Sequence, residues 1–409
     1  MGSAHLFNFT RPISVLFFAW ATKLKKRLHA EQKWRIAIRE KANLVLNSRH
    51  SLARMRIIPF VLAVCACSAQ SALSQWRAPK YSNEFLNIGA GASALGMAGS
   101  QVATVSDVHA GYWNPAGLGS MEGKTQFSLM HASYFAGIAN YDYAAAAMRV
   151  DSQSVLALSW IRFAVDDIPD TRFLVDNGQV DYNRISSFSS ADNAFIFSYG
   201  RKSSKIKGLS CGGNLKIIYR MAGKFANAWG FGLDAGLRFQ RNHWNFGLMA
   251  RDISGTYNAW SYNTTEFESV FAPTGNAIPL QSVEVTLPSV VLGISYKYSF
   301  WKDRIQLRPS LDFFNTFDGK RNTIAGSDAV SMDPRLGLES TFFQLISLRA
   351  GLGNLQRIRN FDGSEKIDYQ VNFGLGMHWK AFSLDYALTD LGNQSQALYS
   401  HIFSLKAAF

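Results

Sequence analysis

The sequence predicts an all-β fold, a transmembrane antiparallel β-barrel of about fourteen strands preceded by an N-terminal plug segment. Three observations predict it. From residue 124 onward the dominant hydrophobic period is two, the period of strands whose two faces differ in chemistry. Charged residues are only 17% and aromatics 13%, and no apolar run approaches the ~20 residues a spanning helix needs. The spacers between the alternating segments are short and long by turns.

In chain order, residues 1–54 are a basic leader, read as an artefact of start-site choice, with a membrane-surface helix as the alternative. Residues 55–74 have the form of a Sec signal peptide. Arg56 precedes an apolar core from Ile57 to Cys67, and Ala72-Leu73-Ser74 offers a small-x-small cleavage site before Gln75. An acylated Cys67 is the competing reading. Cleavage leaves Cys211 as the single cysteine, so an internal disulfide is excluded. The formal charge of +13 is concentrated in this region. Residues 1–74 hold twelve Lys and Arg against Glu31 and Glu40, which leaves +3 for the remainder. A nucleic-acid partner is therefore excluded. Residues 75–123 do not alternate. They are rich in Gly, Ala and Ser between Gly89 and Val102 and end in the run Trp113, Asn114, Pro115, Ala116, Gly117 and Leu118. Small residues let backbone approach backbone, Pro115 fixes φ, and Gly117 permits a turn that other residues resist. A plug reaching into a barrel lumen is the expectation, and a cap outside the pore is the alternative.

Residues 124–409 form the barrel. Alternating segments fall at 124–135, 139–150, 153–164, 190–201, 207–221, 225–240, 243–254, 282–299, 303–315, 332–342, 345–354, 366–379, 381–389 and 397–409. The clearest puts Ile367, Tyr369, Val371, Phe373, Leu375, Met377 and Trp379 on one face and Asp368, Gln370, Asn372, Gly374, Gly376 and His378 on the other. An apolar aromatic face against a polar, glycine-bearing one is what a lipid-facing wall around a wet lumen requires. Even-numbered connections are short, such as Asp151-Ser152 and Trp301-Lys302. Several odd ones are long: 165–189, 255–281, 316–331, 355–365 and 390–396. That asymmetry fits a bacterial outer-membrane barrel with both chain ends in the periplasm, surrounded by outer-membrane lipid. The alternation of Phe403, Leu405, Ala407 and terminal Phe409 resembles the signature by which such barrels are inserted.

No Gly-x-Ser-x-Gly, Walker loop, His-Glu-x-x-His or Cys-x-x-Cys pattern occurs after residue 74, so no enzyme, cofactor or metal site is expected. His131, His243, His378 and His401 lack metal-ligand spacing. Asp166, Asp167, Asp170, Asp176 and Asp181 make an acidic loop, read as solvated, with calcium as the alternative. Lys216, Arg220, Asp234, Arg238, Arg251, Arg335, Glu339, Arg349, Asp368 and Asp385 fall on the inward face. They are expected to pair across the lumen or hold the plug, the alternative being a lining that selects solutes. Tyr257, Trp260, Tyr262, Phe267 and Phe271 sit in the fourth connection region, as a partner-binding outer loop or a self-packed lid.

Tyr81 to Gly89, Ala94 to Ala103 and the Asn114-Pro115-Ala116-Gly117-Leu118 run resemble the PorV/PorQ family of Bacteroidota, which is itself similar to the FadL-type transporters of long-chain fatty acids. The likeness extends to Asp166–Arg172 and broadly to the chain after residue 74. The resemblance implies a FadL-like barrel and a part in the type IX secretion system, with a translocon subunit or cargo C-terminal domains as partners. The alternative is a FadL-like passive transporter of hydrophobic small molecules, which needs an apolar pocket and a lateral gap in the wall. The largely polar inward face speaks against a greasy tunnel.

Overall fold

A computed structural model describes residues 82–176, 178–271, 281–359, 362–389 and 399–409, without the side chains of Asp176 and 269–271. Residues 1–81, where the sequence predicts a leader and a signal peptide, and residues 177, 272–280, 360–361 and 390–398 lie outside the described residues. Fourteen wall strands follow one another in antiparallel order. These are β1 (Thr125–Tyr134), β2 (Ala139–Arg149), β3 (Ser154–Asp170), β4 (Ser186–Lys202), β5 (Leu209–Ala222) and β6 (Ala226–Arg241). β7 comes in two parts, Trp244–Arg251 and Thr256–Tyr262, and β8 in three, Gln281–Thr286, Ser289–Tyr296 and Tyr298–Phe300. β9 (Ile305–Thr316), β10 (Ser331–Phe342), β11 (Ile346–Arg359), β12 (Glu365–Trp379), β13 (Phe382–Thr389) and β14 (Ser400–Ala408) complete the wall.

β14 pairs with β1 from Gln126↔Ala408 to Ser133↔His401, so the sheet has no free edge. The Phe409 carbonyl accepts from the Lys124 and Thr125 N–H groups at 2.5 and 2.9 Å and seals the seam. The turns at the chain-terminal end are tight. At the first, Asp151 Oδ1 accepts from the Gln153 and Ser154 N–H groups at 2.7 and 2.8 Å, an Asx turn. At the other end β3, β4, β7 and β11 run on past the predicted bounds, because hairpin pairing continues above the membrane-facing stretch. β3 does so across a bulge between Val165 and Ile168, with Asp167 at φ 56°.

Most of the wall alternates as expected, with Trp229, Phe231, Leu292, Phe373 and Leu405 exposed outside. One sector departs from it. On β1 to β5 the inward face carries Met130, Tyr134, Tyr141, Tyr143, Ile161, Ile196 and Ile218, all buried. They pack with Phe85, Leu86, Tyr112 and Trp113 of the plug in one apolar core. The expectation of a polar interior is corrected here, because this sector faces plug side chains rather than water. The outward face of the same sector carries His131, Asp142 and Arg162.

Candidate functional site

The plug enters the lumen as short turns rather than long helices. These are Glu84–Asn87, α1 (Ala92–Leu95), α2 (Ala110–Trp113) and Pro115–Ser120. Its composition explains this, since Gly, Ala and Ser between Gly89 and Val102 offer too little apolar surface for a longer helix to bury. The predicted motif lies where the plug meets β5 and β6. Asn114 donates to Val102 O at 2.9 Å and Leu237 O at 3.1 Å, and its Oδ1 accepts from Ala116 N–H at 3.2 Å. Pro115 opens the next turn, where its missing N–H costs nothing. Trp113 donates to Ala90 O at 2.8 Å. Ala116, Gly117 and Leu118 are buried. Gly212 of β5 faces Pro115 and Ala116, and Gly351 of β11 faces Met97 and Ala98. A Cβ at either would collide with plug backbone.

Further bonds fasten the plug around the circumference. Asp312 Oδ2 accepts from Val102 N–H at 2.9 Å, Asn372 donates to Leu95 O at 2.9 Å, and Asn214 donates to Gly111 O at 2.9 Å. Asp107 pairs with Lys406 at 2.6 Å. Burial pushes the Asp107 carboxyl up, but Lys406 and then His109 outweigh it and hold its pKa well below the usual range. His109 lies 3.2 Å from Asp107 and 2.8 Å from Ser128 Oγ. The residue order is that of a hydrolytic triad. Ser128 and His109 are 2% and 3% exposed, and with Asp107 and Lys406 they fasten the plug to β1 and β14.

The inward charges form separate clusters rather than one network. Lys216 Nζ lies 2.8 Å from Asp234 and bonds Asp252, whose N–H donates to Asp234 at 2.9 Å. Arg349 pairs with Glu339 at 2.8 Å and Asp385 at 2.7 Å. Arg220 pairs with Asp192 at 2.9 Å and Glu284 at 3.2 Å, and Arg335 with Asp333 at 3.0 Å. Arg238 donates to Ala103 O at 2.9 Å, and the Arg251 guanidinium lies 5.0 Å from the Tyr112 ring centroid, so both hold the plug. Asp368 sits at the long-loop end of β12, paired in register with Gln356.

The predicted aromatic surface is divided. Tyr257 faces outward from the wall, 53% exposed. Trp260 turns inward under Arg220, its ring centroid 5.1 Å from the guanidinium. Tyr262 and Phe225 pack on Phe267 within α3 (Thr264–Phe271), with centroids 6.4 and 6.0 Å apart. Arg172 bonds Asp170 at 2.7 Å and Glu266 at 3.2 Å and stacks 4.4 Å from Phe225, tying three connections into a self-packed rim. The Lys224 ammonium, against an opposing effect of burial and with help from Arg172, holds Glu266 below the ordinary carboxylate range. The side chain of Phe271 lies outside the described residues. In the acidic loop, Asp181 Oδ1 accepts from Asn183 N–H at 3.0 Å. Among the described residues no cluster of three or more His, Cys, Asp or Glu is arranged to hold a metal ion.

Two cavities flank the plug. One of 430 Å³ opens on the long-loop side against Trp113, Tyr134, Phe314, Arg335 and Asn372. One of 310 Å³ opens on the other side against Asp107, His109, Glu339, Arg349 and Lys406. Within the described wall, β7 is interrupted between its two parts. Between Arg251 and Thr256, β7 has three more residues than β6 and two more than β8 over the same stretch. One backbone bond, Ile253 N–H to Leu233 O at 2.9 Å, and the Asp252 N–H bond to the Asp234 carboxylate bridge the break to β6. Outside it a groove of 890 Å³ runs along the membrane face, lined by Phe127, Leu156, Phe197, Leu215, Leu233 and Ile253. Asp234 lines both this groove and a small inner pocket of 30 Å³. Sequence reading missed Asp252, because the extra residues shift the inward parity from odd at Arg251 to even at Thr256.

The same barrel is found in solved structures. The CymD monoaromatic hydrocarbon channel is 14% identical, over 79% of this chain and 98% of that one, with a TM-score of 0.50. The toluene transporter TodX of P. putida is 13% identical, over 78% and 99%, also at 0.50. The fold is FadL-like. No family model matches the sequence, and no curated protein is similar to it. The identities are low, so the likeness speaks for the FadL-like fold alone.

Proposed function

We propose that this barrel is a non-catalytic outer-membrane channel through which small hydrophobic molecules pass. The observation that carries the reading is the break in β7, with an apolar groove on its membrane side and Asp234 lining both faces of the wall. A plugged lumen passes no wide aqueous stream, and a molecule taken from water into lipid needs a sideways exit. The break supplies a thin point for one. The upper cavity, with Trp113, Tyr134 and Phe314 in its wall, suits a small apolar body. The hydrocarbon specificity of CymD and TodX supports the same substrate class. The short turns then lie in the periplasm and the long loops outside the cell. Type IX secretion rests on the motif resemblance alone, and transport replaces it as the function proposed.

The test uses vesicles with a lipopolysaccharide outer leaflet and a solvatochromic naphthylamine dye. The barrel is expected to speed dye influx about tenfold over protein-free vesicles. A Leu233→Cys, Ile253→Cys disulfide across the break is expected to abolish the gain and a reductant to restore it. Influx equal with and without protein, or unchanged by the crosslink, overturns the reading.

A further inference from the structure

The outward face of β14, β1, β2 and β3 carries a polar cluster in a wall that is otherwise apolar. His131 Nδ1 lies 2.7 Å from Asp142 Oδ1, and Arg162 of the next strand lies 3.9 Å from Asp142, too long for a hydrogen bond. Ser133 and Asn140 pair in register beside them, and His401 of β14 pairs with Ser133. His401 Nδ1 lies 2.8 Å from the Tyr386 hydroxyl. Other outward charges of the described strands, such as Arg201, Arg241 and Arg357, sit at strand ends, where water or headgroups meet them. Arg162 stands in mid-strand, and His131, Asp142, Ser133, Asn140 and His401 lie level with it toward the long-loop ends of β1, β2 and β14. The cluster is also not spare lumen chemistry, because the inward face behind it is packed apolar core.

Its height identifies what it meets. Arg162 is eight residues beyond the start of β3. At ~3.3 Å rise and ~40° tilt it lies about 20 Å up a membrane band about 25 Å tall. Trp160, one lipid-facing position below, marks the interfacial belt on the same strand. An arginine there extends toward the headgroups of the outer leaflet. Charged side chains facing acyl chains are expensive, so the position calls for a polar occupant. The chemistry then selects it. Arg162 and the free nitrogens of His131 and His401 are donors fit for a phosphate. Asp142, Asn140 and Ser133 supply acceptors and donors fit for sugar hydroxyls. Lower on the same side of the wall lies the apolar groove, beginning at Phe127 and Leu156.

We infer that β14 and β1–β3 present a binding site for a phosphorylated glycolipid of the outer leaflet. The phosphate meets Arg162 and His131, the sugar meets Asp142, Asn140 and Ser133, and the acyl chains run down toward the groove. The site is independent of transport, since none of its polar residues lines a lumen cavity.

Native mass spectrometry of the detergent-solubilised barrel reads it. Diphosphoryl lipid A is expected to form adducts, phosphatidylethanolamine to form about tenfold fewer, and monophosphoryl lipid A to fall between. Millimolar inorganic phosphate is not expected to displace the lipid. Arg162→Ala with His131→Ala is expected to lower lipid A adducts about tenfold while retaining the heat-modifiable gel mobility of a folded barrel. A folded Arg162→Lys is expected to keep most of the binding. Equal adducts in wild type and the double variant, displacement by phosphate, or a crosslinked dimer through Asn140→Cys that excludes lipid would each overturn the inference.

Discussion

Asn114 satisfies three backbone groups with one amide, two on the plug and one on β6. Its replacement by Ala leaves buried carbonyls and an N–H without partners. Each neutral hydrogen bond is worth about 1 kcal/mol, and more when a buried group is left unsatisfied. Asn114→Ala is therefore expected to lose about 2–3 kcal/mol of plug seating. The measurement is protease cleavage within residues 82–123 of a folded barrel, which should rise well above wild type. Gly212 makes the opposite test, addition rather than removal. A Gly212→Val side chain would strike Pro115 and Ala116. Overpacking of this kind costs about 1–3 kcal/mol, borne by the plug because the wall is held by fourteen paired strands. Plug cleavage should increase here too while the wall strands keep their circular dichroism. Resistance equal to wild type would show that the motif does not hold the plug.

At the level of elements, the strand pattern was legible wherever pairing ran uninterrupted. Ile367 to Trp379 sorts onto two faces in the sequence and does so in β12. The reading failed where a bulge resets parity, since one added residue exchanges the faces of all that follow. Parity puts Asp252 on the outward face for this reason, whereas Tyr257 and Trp260 group together because 255–281 reads as a loop although Thr256–Tyr262 is strand. Where parity held but the neighbour was plug rather than water, as at Tyr141 and Ile161, the polarity of the lumen was misjudged instead. The bulge in β7 also has a stability consequence. Lys216 is clamped by Asp234 and Asp252, all three largely buried. Removing one partner from a buried ion cluster leaves uncompensated charge, typically at a cost of about 3–5 kcal/mol. Lys216→Met is expected to lower the temperature of the gel-mobility transition and, by freeing Asp252, to loosen the break and raise dye influx. A more stable variant with slower influx would remove the clamp from the account of the gate.

For the whole molecule, closure was legible because it needs only an even set of alternating segments and a terminal strand. The seating of the plug was not, because its bonds join residues remote in sequence, as Val102 and Asp312 are, and no period announces them. The same remoteness governs how plug and rim respond to acid. Arg321, in the connection after β9, pairs with Glu84 of the plug at 3.0 Å and with Asp318 at 2.6 Å, beside the upper cavity. Burial pushes Asp318 up, but the Arg321 guanidinium prevails and holds it below the ordinary carboxylate range. A carboxylate depressed in the folded state stabilises fully above its unfolded pKa of about 3.9, and that contribution is lost as pH falls through the folded value. Asp318 should thus hold Arg321 in place beside Glu84 at neutral pH, and that support is lost below about pH 4. Protease access to Glu84–Asn87 through the cavity is expected to rise steeply over that interval in wild type. In Arg321→Gln access should be high already at pH 7 and change far less with acid. A variant whose acid profile matches wild type would mean that other groups, and not this clasp, tie the plug to the rim.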